Sequence, residues 1–237
     1  MRADRLFSIV LLLQQYRHMS AHELAEQLEV SPRTILRDME ALSGAGARVF
    51  HFDVGDGHFI PEITIGPIVL ASISPLVRGW GARLDCHLMV AEPERHFEAI
   101  AKAGGDSVTF HVEVVDEPAR VTAAARGLGL GVGIALNPET DVDEAVGAAD
   151  GADLVLCMSI HPGYSGQAFM PDALERLAAL RERLPEAMRI QVDGGINGDT
   201  ARAARDAGAD LLVAGSAVFW KDDPAAAYRE LVEVVGV

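Results

Sequence analysis

From residue 48 onward the chain repeats one unit: a short run of apolar and β-branched residues, then an Ala-rich stretch with helical spacing. The runs lie at 48–54, 83–89, 107–112, 130–135, 154–158, 189–192 and 210–213. The helical stretches lie at about 66–79, 93–103, 117–127, 140–149, 171–183, 198–207 and 224–234, and Pro224 after Asp223 marks the last helix start. Continuous apolar strands that alternate with helices need a parallel sheet covered on both faces. Units of this size point to a TIM (β/α)₈-type barrel of class α/β rather than an open sheet.

The polar residues fall at one end of these runs. His51, Asp53, His87, His111, Asn137, Asp193 and Gly215 sit at the C-terminal ends of strands or just beyond, with Met158. In a barrel those ends converge on one mouth, where chemistry is built. The stretch His51-Phe52-Asp53-Val54-Gly55-Asp56-Gly57-His58-Phe59 puts a His and an Asp two residues apart, so both face one side of a strand. Asp85-Cys86-His87-Leu88-Met89, the segment from His161 to Gln167, and Val192-Asp193-Gly194-Gly195 offer partners. Two imidazoles and two carboxylates in such places suit a divalent metal and a pair of acid–base groups. The turns at Gly163, Tyr164, Ser165 and Gly166, at Gly194 and Gly195, and at Gly215 and Ser216 are rich in small residues, as a barrel phosphate site requires.

The N-terminal part reads differently. Leu6, Ile9, Val10 and Leu13 recur at helical spacing, Ser20 and Glu23 form a capping box, and Pro32 opens a third helix that ends at Gly44 and Gly46. Three short helices with this spacing make a helix-turn-helix segment, with Arg33, Thr34 and Arg37 exposed near the start of the recognition helix as candidate DNA contacts. The expected domains are therefore 1–47, the helix-turn-helix segment, and 48–237, the barrel. Residues 1–48 carry six Arg and six acidic residues, so the formal charge of −15 lies in the remainder. An acidic body repels nucleic acid, which argues against DNA as a partner despite the helices. No apolar run has membrane-spanning length, and the stretch 6–13 lacks the features of a signal peptide. Cys86 and Cys157, both in apolar runs, read as reduced packing thiols of a cytoplasmic chain.

Two resemblances extend this reading. HELAEQLEVSPRTILRDMEALS resembles the N-terminal domain of DeoR-like, WYL-type transcription regulators, over residues 1 to about 45. HFDVGDGHFIPEITIG, LDCHLMV, FHVE, LNPET, MSIHPGYSGQAF, QVDGGI and VAGSAVF, in that order, resemble the ribulose-phosphate 3-epimerase family over about residues 44–237. The second resemblance implies a metal-dependent inversion at C3 of a ketopentose 5-phosphate, D-ribulose 5-phosphate to D-xylulose 5-phosphate. It makes His51, Asp53, His87 and Asp193 the metal ligands, and Asp53 and Asp193 the two acid–base groups on opposite faces of the substrate. His87 and Asp193 would also face the substrate beside the glycine turns. Zinc fits the donor set, as do iron, manganese or cobalt.

The chain also departs from that family. Its usual opening strand, with a substrate-holding Ser, is missing, and regulator-like sequence stands in its place. The third helix of the regulator unit is expected to replace the first barrel helix, which leaves seven strands and an open edge. A homo-oligomer could cover that edge. Alternatively, residues 6–13 supply the strand, with Ser8 near the family's Ser. Gly55 stands where the family has Met, which is expected to loosen packing beside the metal. The competing functions are an epimerase, intact or impaired, a sugar-phosphate-responsive DNA-binding regulator, or a recombined chain with neither activity. A regulator's wing hairpin around Gly55-Asp56-Gly57 would leave His51 and Asp53 unexplained.

Overall fold

A computed structural model of the chain describes residues 40–164 and 166–236. Within them seven strands form one parallel sheet in sequence order: β1 (Val49–Gly55), β2 (Arg83–Met89), β3 (Ser107–His111), β4 (Gly131–Leu136), β5 (Leu154–Met158), β6 (Arg189–Asp193) and β7 (Leu211–Val213). The connecting helices are α1 (Pro67–Gly79), α2 (Glu94–Ala103), α3 (Pro118–Gly127), α4 (Val142–Ala148), α5 (Ala173–Arg183) and α6 (Gly198–Asp206). A four-residue helix α7 (Ser216–Phe219) and a final α8 (Pro224–Val235) follow β7. The three-helix segment expected at the N-terminus, with Arg33, Thr34 and Arg37, lies outside the described residues, as do Ser8 and Ser165.

Local sequence accounts for these elements. In α2 the buried residues are Phe97, Ile100 and Ala103, a three-residue spacing that lays one stripe on the sheet, and Gly104 ends the helix in the left-handed region at φ 96°. In α6 the Asn197 side chain accepts from the Thr200 backbone N–H while the Thr200 hydroxyl takes the Asn197 N–H. The strands follow the expected runs to within a residue or two. β3 ends at His111, just short of its expected run, because a 3₁₀ turn at Val112–Val114 takes over.

The sheet curls. β2 and β6 stand four strands apart in the sheet, roughly 19 Å if it were flat. Yet the Gln191 amide on β6 lies 3.3 Å from Asp85 on β2. Outward-facing residues such as Phe52, Leu84, Cys86, Leu88, Val108, Phe110 and Ile134 meet the helices in one large core, and Val155, Cys157, Ile190 and Val192 meet them in a second. Ala135, Leu156, Met158 and Ile160 form a small separate cluster. The alternate positions of β2, β3 and β6 carry Asp85, His87, Thr109, His111 and Gln191, all buried. The barrel is thus greasy outside, and inside it is polar along β1, β2, β3 and β6 with an apolar patch from β4 and β5.

Among the described residues β1 pairs only with β2, and β7 only with β6. Residues 40–44 end a helix, and Leu42 and Ala47 pack with Val218, Tyr228 and Leu231 of α7 and α8. That contact places Leu42 and Ala47 on the barrel wall beside its last helix, and the rest of the helix expected to replace the first barrel helix lies outside the described residues. Leu42 is buried and Leu128 is exposed. Leu42→Ala is therefore expected to lower stability by about 2–5 kcal/mol. Leu128→Ala should change it by less than about 0.5 kcal/mol. Urea midpoints of the two variants measure the difference, and equal midpoints would mean that residues 40–47 do not support the barrel.

Candidate active site and metal centre

Parallel, in-register pairing sets the site. His51 lies opposite Asp85, and Asp53 opposite His87. Two residues per pleat put all four on the inner face. The His51 Nδ1–H donates to Asp85 Oδ2 at 3.0 Å, and Asp85 also accepts from the Ser107 hydroxyl at 2.7 Å. Asp85 is buried, which works against its charge, but His51, Ser107 and Gln191 outweigh this and hold the carboxyl down to about 2. His51 in turn is pushed well above the usual imidazole range: burial opposes its charge, and Asp53 and Asp85 overcome that.

His87 is fully buried behind Asp53, with Nδ1 3.1 Å from Asp53 Oδ1. Burial lowers His87 to about 4, against the pull of Asp53. Asp53 is open to the mouth on one side, its side chain 47% accessible. Burial of the rest raises its pKa, but the two imidazoles more than reverse this and leave it below the normal carboxylate range. Asp193 ends β6 opposite Met158. Burial and then the Asp53 charge push it up to about 7. Two carboxyls in one cavity thus have opposite tendencies, one held ionised and one made harder to ionise.

His51, Asp53, His87 and Asp193 bring one ligand atom each within 4.8 Å of one another. The donor set fits a cation. His51 Nε2 is buried with no hydrogen-bond partner, although Asp53 Oδ1 lies 3.3 Å away, outside hydrogen-bonding alignment. With Nδ1–H committed to Asp85, Nε2 is the nitrogen left to hold a cation, which would take the place of the second ring proton. His161, in contrast, pairs with Glu139 at 2.5 Å on the exposed rim and is no part of the cluster.

One cavity opens over the cluster. Asp53, Met89, Met158 and Asp193 line its floor, and Gly163, Tyr164, Gly166, Gly194, Gly195, Gly215 and Ser216 line its wall. The glycine-turn residues expected to bind phosphate are thus gathered in one place, with Ser165 outside the described residues. Gly195 has φ 63°, and a Cβ there would meet the backbone of Phe169. His87 lies beneath this surface and does not line it.

Asp56 joins the β1 turn to the β2 turn: Oδ1 accepts from the His58 and Phe59 N–H groups and Oδ2 from Ala91 N–H. The same turn carries a single antiparallel bridge between Asp56 and Ile63, the only hairpin-like feature of the stretch, while β1 itself pairs in parallel. Gly55 closes β1. A Cβ there would stand 2.5 Å from Ile60 Cδ1 and 2.9 Å from the Glu62 carbonyl oxygen. The loosened packing expected from the lack of Met at this position is therefore replaced by a filled volume, because Ile60 is buried in it.

The comparisons agree with this geometry. The model of the ribulose-phosphate 3-epimerase family matches residues 28–219. The chain belongs to this family. It is 40% identical over 200 residues to the ribulose-phosphate 3-epimerase of Mycobacterium tuberculosis, covering 83% of this chain and 86% of the relative. It is 37% identical over 215 residues to that of Bacillus subtilis, covering 86% and 98%. Among solved structures, a 3-hexulose-6-phosphate synthase superposes with TM-score 0.64 at 21% identity, covering 86% of this chain and 94% of that one. KGPDC from Streptococcus mutans, in complex with D-R5P, superposes with TM-score 0.62 at 17% identity, covering 85% and 92%. These last two show the shared barrel. The model of the DeoR-like helix-turn-helix domain matches residues 5–50, so the two family matches overlap at 28–50.

Sequence reasoning gave no role to Asp85, His111, Glu113 or Gln191. Asp85 stands two residues before His87, which is the signal that it shares the inner face.

Two outcomes follow from these contacts. Asp85 has a depressed folded value, so its contribution is present above about 3.8 and lost as pH falls toward about 2. Unfolding free energy measured across that window should fall less steeply in Asp85→Asn than in the parent, and equal slopes would remove the argument. Gly55→Met should destabilise by about 1–3 kcal/mol through overpacking, partly relieved by adding Ile60→Ala. A Gly55→Met chain as stable as its parent would show that Ile60 does not hold that space.

Proposed function

We propose that this protein is a metal-dependent sugar-phosphate epimerase that interconverts D-ribulose 5-phosphate and D-xylulose 5-phosphate. The observation that carries the reading is the pair Asp53 and Asp193 across one cavity, backed by His51 and His87. Inversion beside a carbonyl needs one group to remove the C3 proton and a second to return it on the other face. Asp53, held ionised by the imidazoles, suits proton removal, and Asp193, harder to ionise, suits return. In the reverse direction their roles exchange. The enediolate that forms between the two transfers carries negative charge. A divalent cation held by His51, Asp53, His87 and Asp193 supplies positive charge for its oxygens.

The glycine walls at Gly163, Gly166, Gly194, Gly195 and Gly215, with Tyr164, Ser165 and Ser216, would hold the phosphate and leave C3 between the carboxyls. Two imidazoles in the donor set favour zinc, iron, manganese or cobalt over magnesium or calcium. The proposal includes the division into residues 1–47 and 48–237, a cytoplasmic setting, and a homo-oligomer that covers the β1 and β7 edges. Among the described residues no helix is long and apolar enough to cross a membrane.

A coupled assay with ribulose 5-phosphate, on full-length protein supplied with each of the four metals in turn, tests the reading. Turnover is expected, lost on chelation. Asp53→Asn and Asp193→Asn should each lower kcat by about 10²–10⁴-fold. No turnover with any of the metals would contradict it.

A further inference from the structure

A line of polar groups runs from the cluster through two buried imidazoles to the surface at Glu113, and the proposed chemistry does not use its outer members. His87 Nε2 meets His111 Nε2 at 2.9 Å, and His111 Nδ1 meets Glu113 Oε2 at 3.1 Å. Glu113 Oε1 accepts from the Asn137 backbone N–H at 2.7 Å and from the Thr140 hydroxyl at 2.5 Å. Both rings are fully buried and stack with centroids 5.0 Å apart. The line crosses from β2 to β3 to the loop after β4.

A cation on His87 Nδ1 would set the direction of this line. That nitrogen's lone pair would go to the ion, which leaves the ring proton on Nε2, facing His111 Nε2. His111 then accepts at Nε2 and carries its own proton on Nδ1, where Glu113 Oε2 lies 3.1 Å away to receive it. Without the ion, the 3.1 Å approach of His87 Nδ1 to Asp53 Oδ1 suits a donated Nδ1–H instead.

We infer that Glu113 and His111 are positioning residues that lock His87 in the tautomer whose Nδ1 faces the ion cluster. This deepens the proposed function and rests on its assignment of the four-residue cluster as a cation site. Glu113 acts at a distance: it touches neither the cluster nor the cavity lining. Reversal of His111 would turn its Nδ1 lone pair on the carboxylate, so the acid at the far end sets every proton in between.

The test is calorimetric titration of the full-length chain with Zn²⁺ or Mn²⁺ alone, with wild type and Glu113→Gln side by side. An amide can donate as well as accept, so it no longer dictates the His111 tautomer. Loss of such an outer partner is expected to weaken cation binding by about 10–100-fold. Nitrogen spectra of ¹⁵N-histidine-labelled wild type saturated with Zn²⁺ provide a measurement that needs no variant: His87 protonated on Nε2 and His111 on Nδ1 are expected. Equal cation affinity in the two proteins would overturn the inference and leave the epimerase reading standing, as would His87 protonated on Nδ1. A wild-type chain that binds neither ion would overturn the cation site and the inference together.

Discussion

The parallel register between β1 and β2 is the constraint on which the site depends. It sets His51 beside Asp85 and Asp53 beside His87, a block of four polar side chains on one inward face. A slip of one residue would turn all of one strand's members outward, because successive side chains alternate faces. Phe50, Phe52 and Val54 would then enter the barrel and the histidine would face the helices. The outward row of β1 and β2, with Phe52, Val54, Leu84, Cys86 and Leu88 against α1 and α2, holds the register by burying apolar surface. The greasy outside therefore aligns the polar inside.

A polar interior is costly unless its hydrogen bonds are complete. Most of it is satisfied here: Asp85 has three donors, and Glu113 has His111, Asn137 and Thr140. The unsatisfied atom at the cluster is His51 Nε2, beside Asp53. Thr109 Oγ1 and Gln191 Oε1 also lack a partner, but His51 Nε2 is the unpartnered atom within the four-residue cluster, as an ion site requires. The two cysteines behave otherwise. Burial raises both thiols, Cys157 to about 11, and they serve as packing groups.

The fold was legible because β2 to β6 are buried along most of their length and so read as apolar runs, with an alternating polar row where the inside is polar. The ligand cluster was legible for the same reason: His51, Asp53, His87 and Asp193 interrupt apolar runs near their ends. Asp85, His111, Glu113 and Gln191 were harder, because their roles arise from which neighbour lies across a strand pair or across the barrel, and spacing along one chain does not encode that. The filling of space at Gly55 by Ile60 was hidden likewise, since it depends on the return of the chain after the Asp56 turn. The short α7 escaped because four residues carry too little periodicity.

The central claim is that the inner faces of three strands focus lone pairs on one point. Anomalous diffraction from crystals grown with Mn²⁺ or Zn²⁺ tests it directly. The account predicts one strong peak at about 2.0–2.2 Å from His51 Nε2, His87 Nδ1 and the Asp53 and Asp193 carboxylates. A peak bound through other residues, or through the opposite nitrogen of either ring, would contradict it.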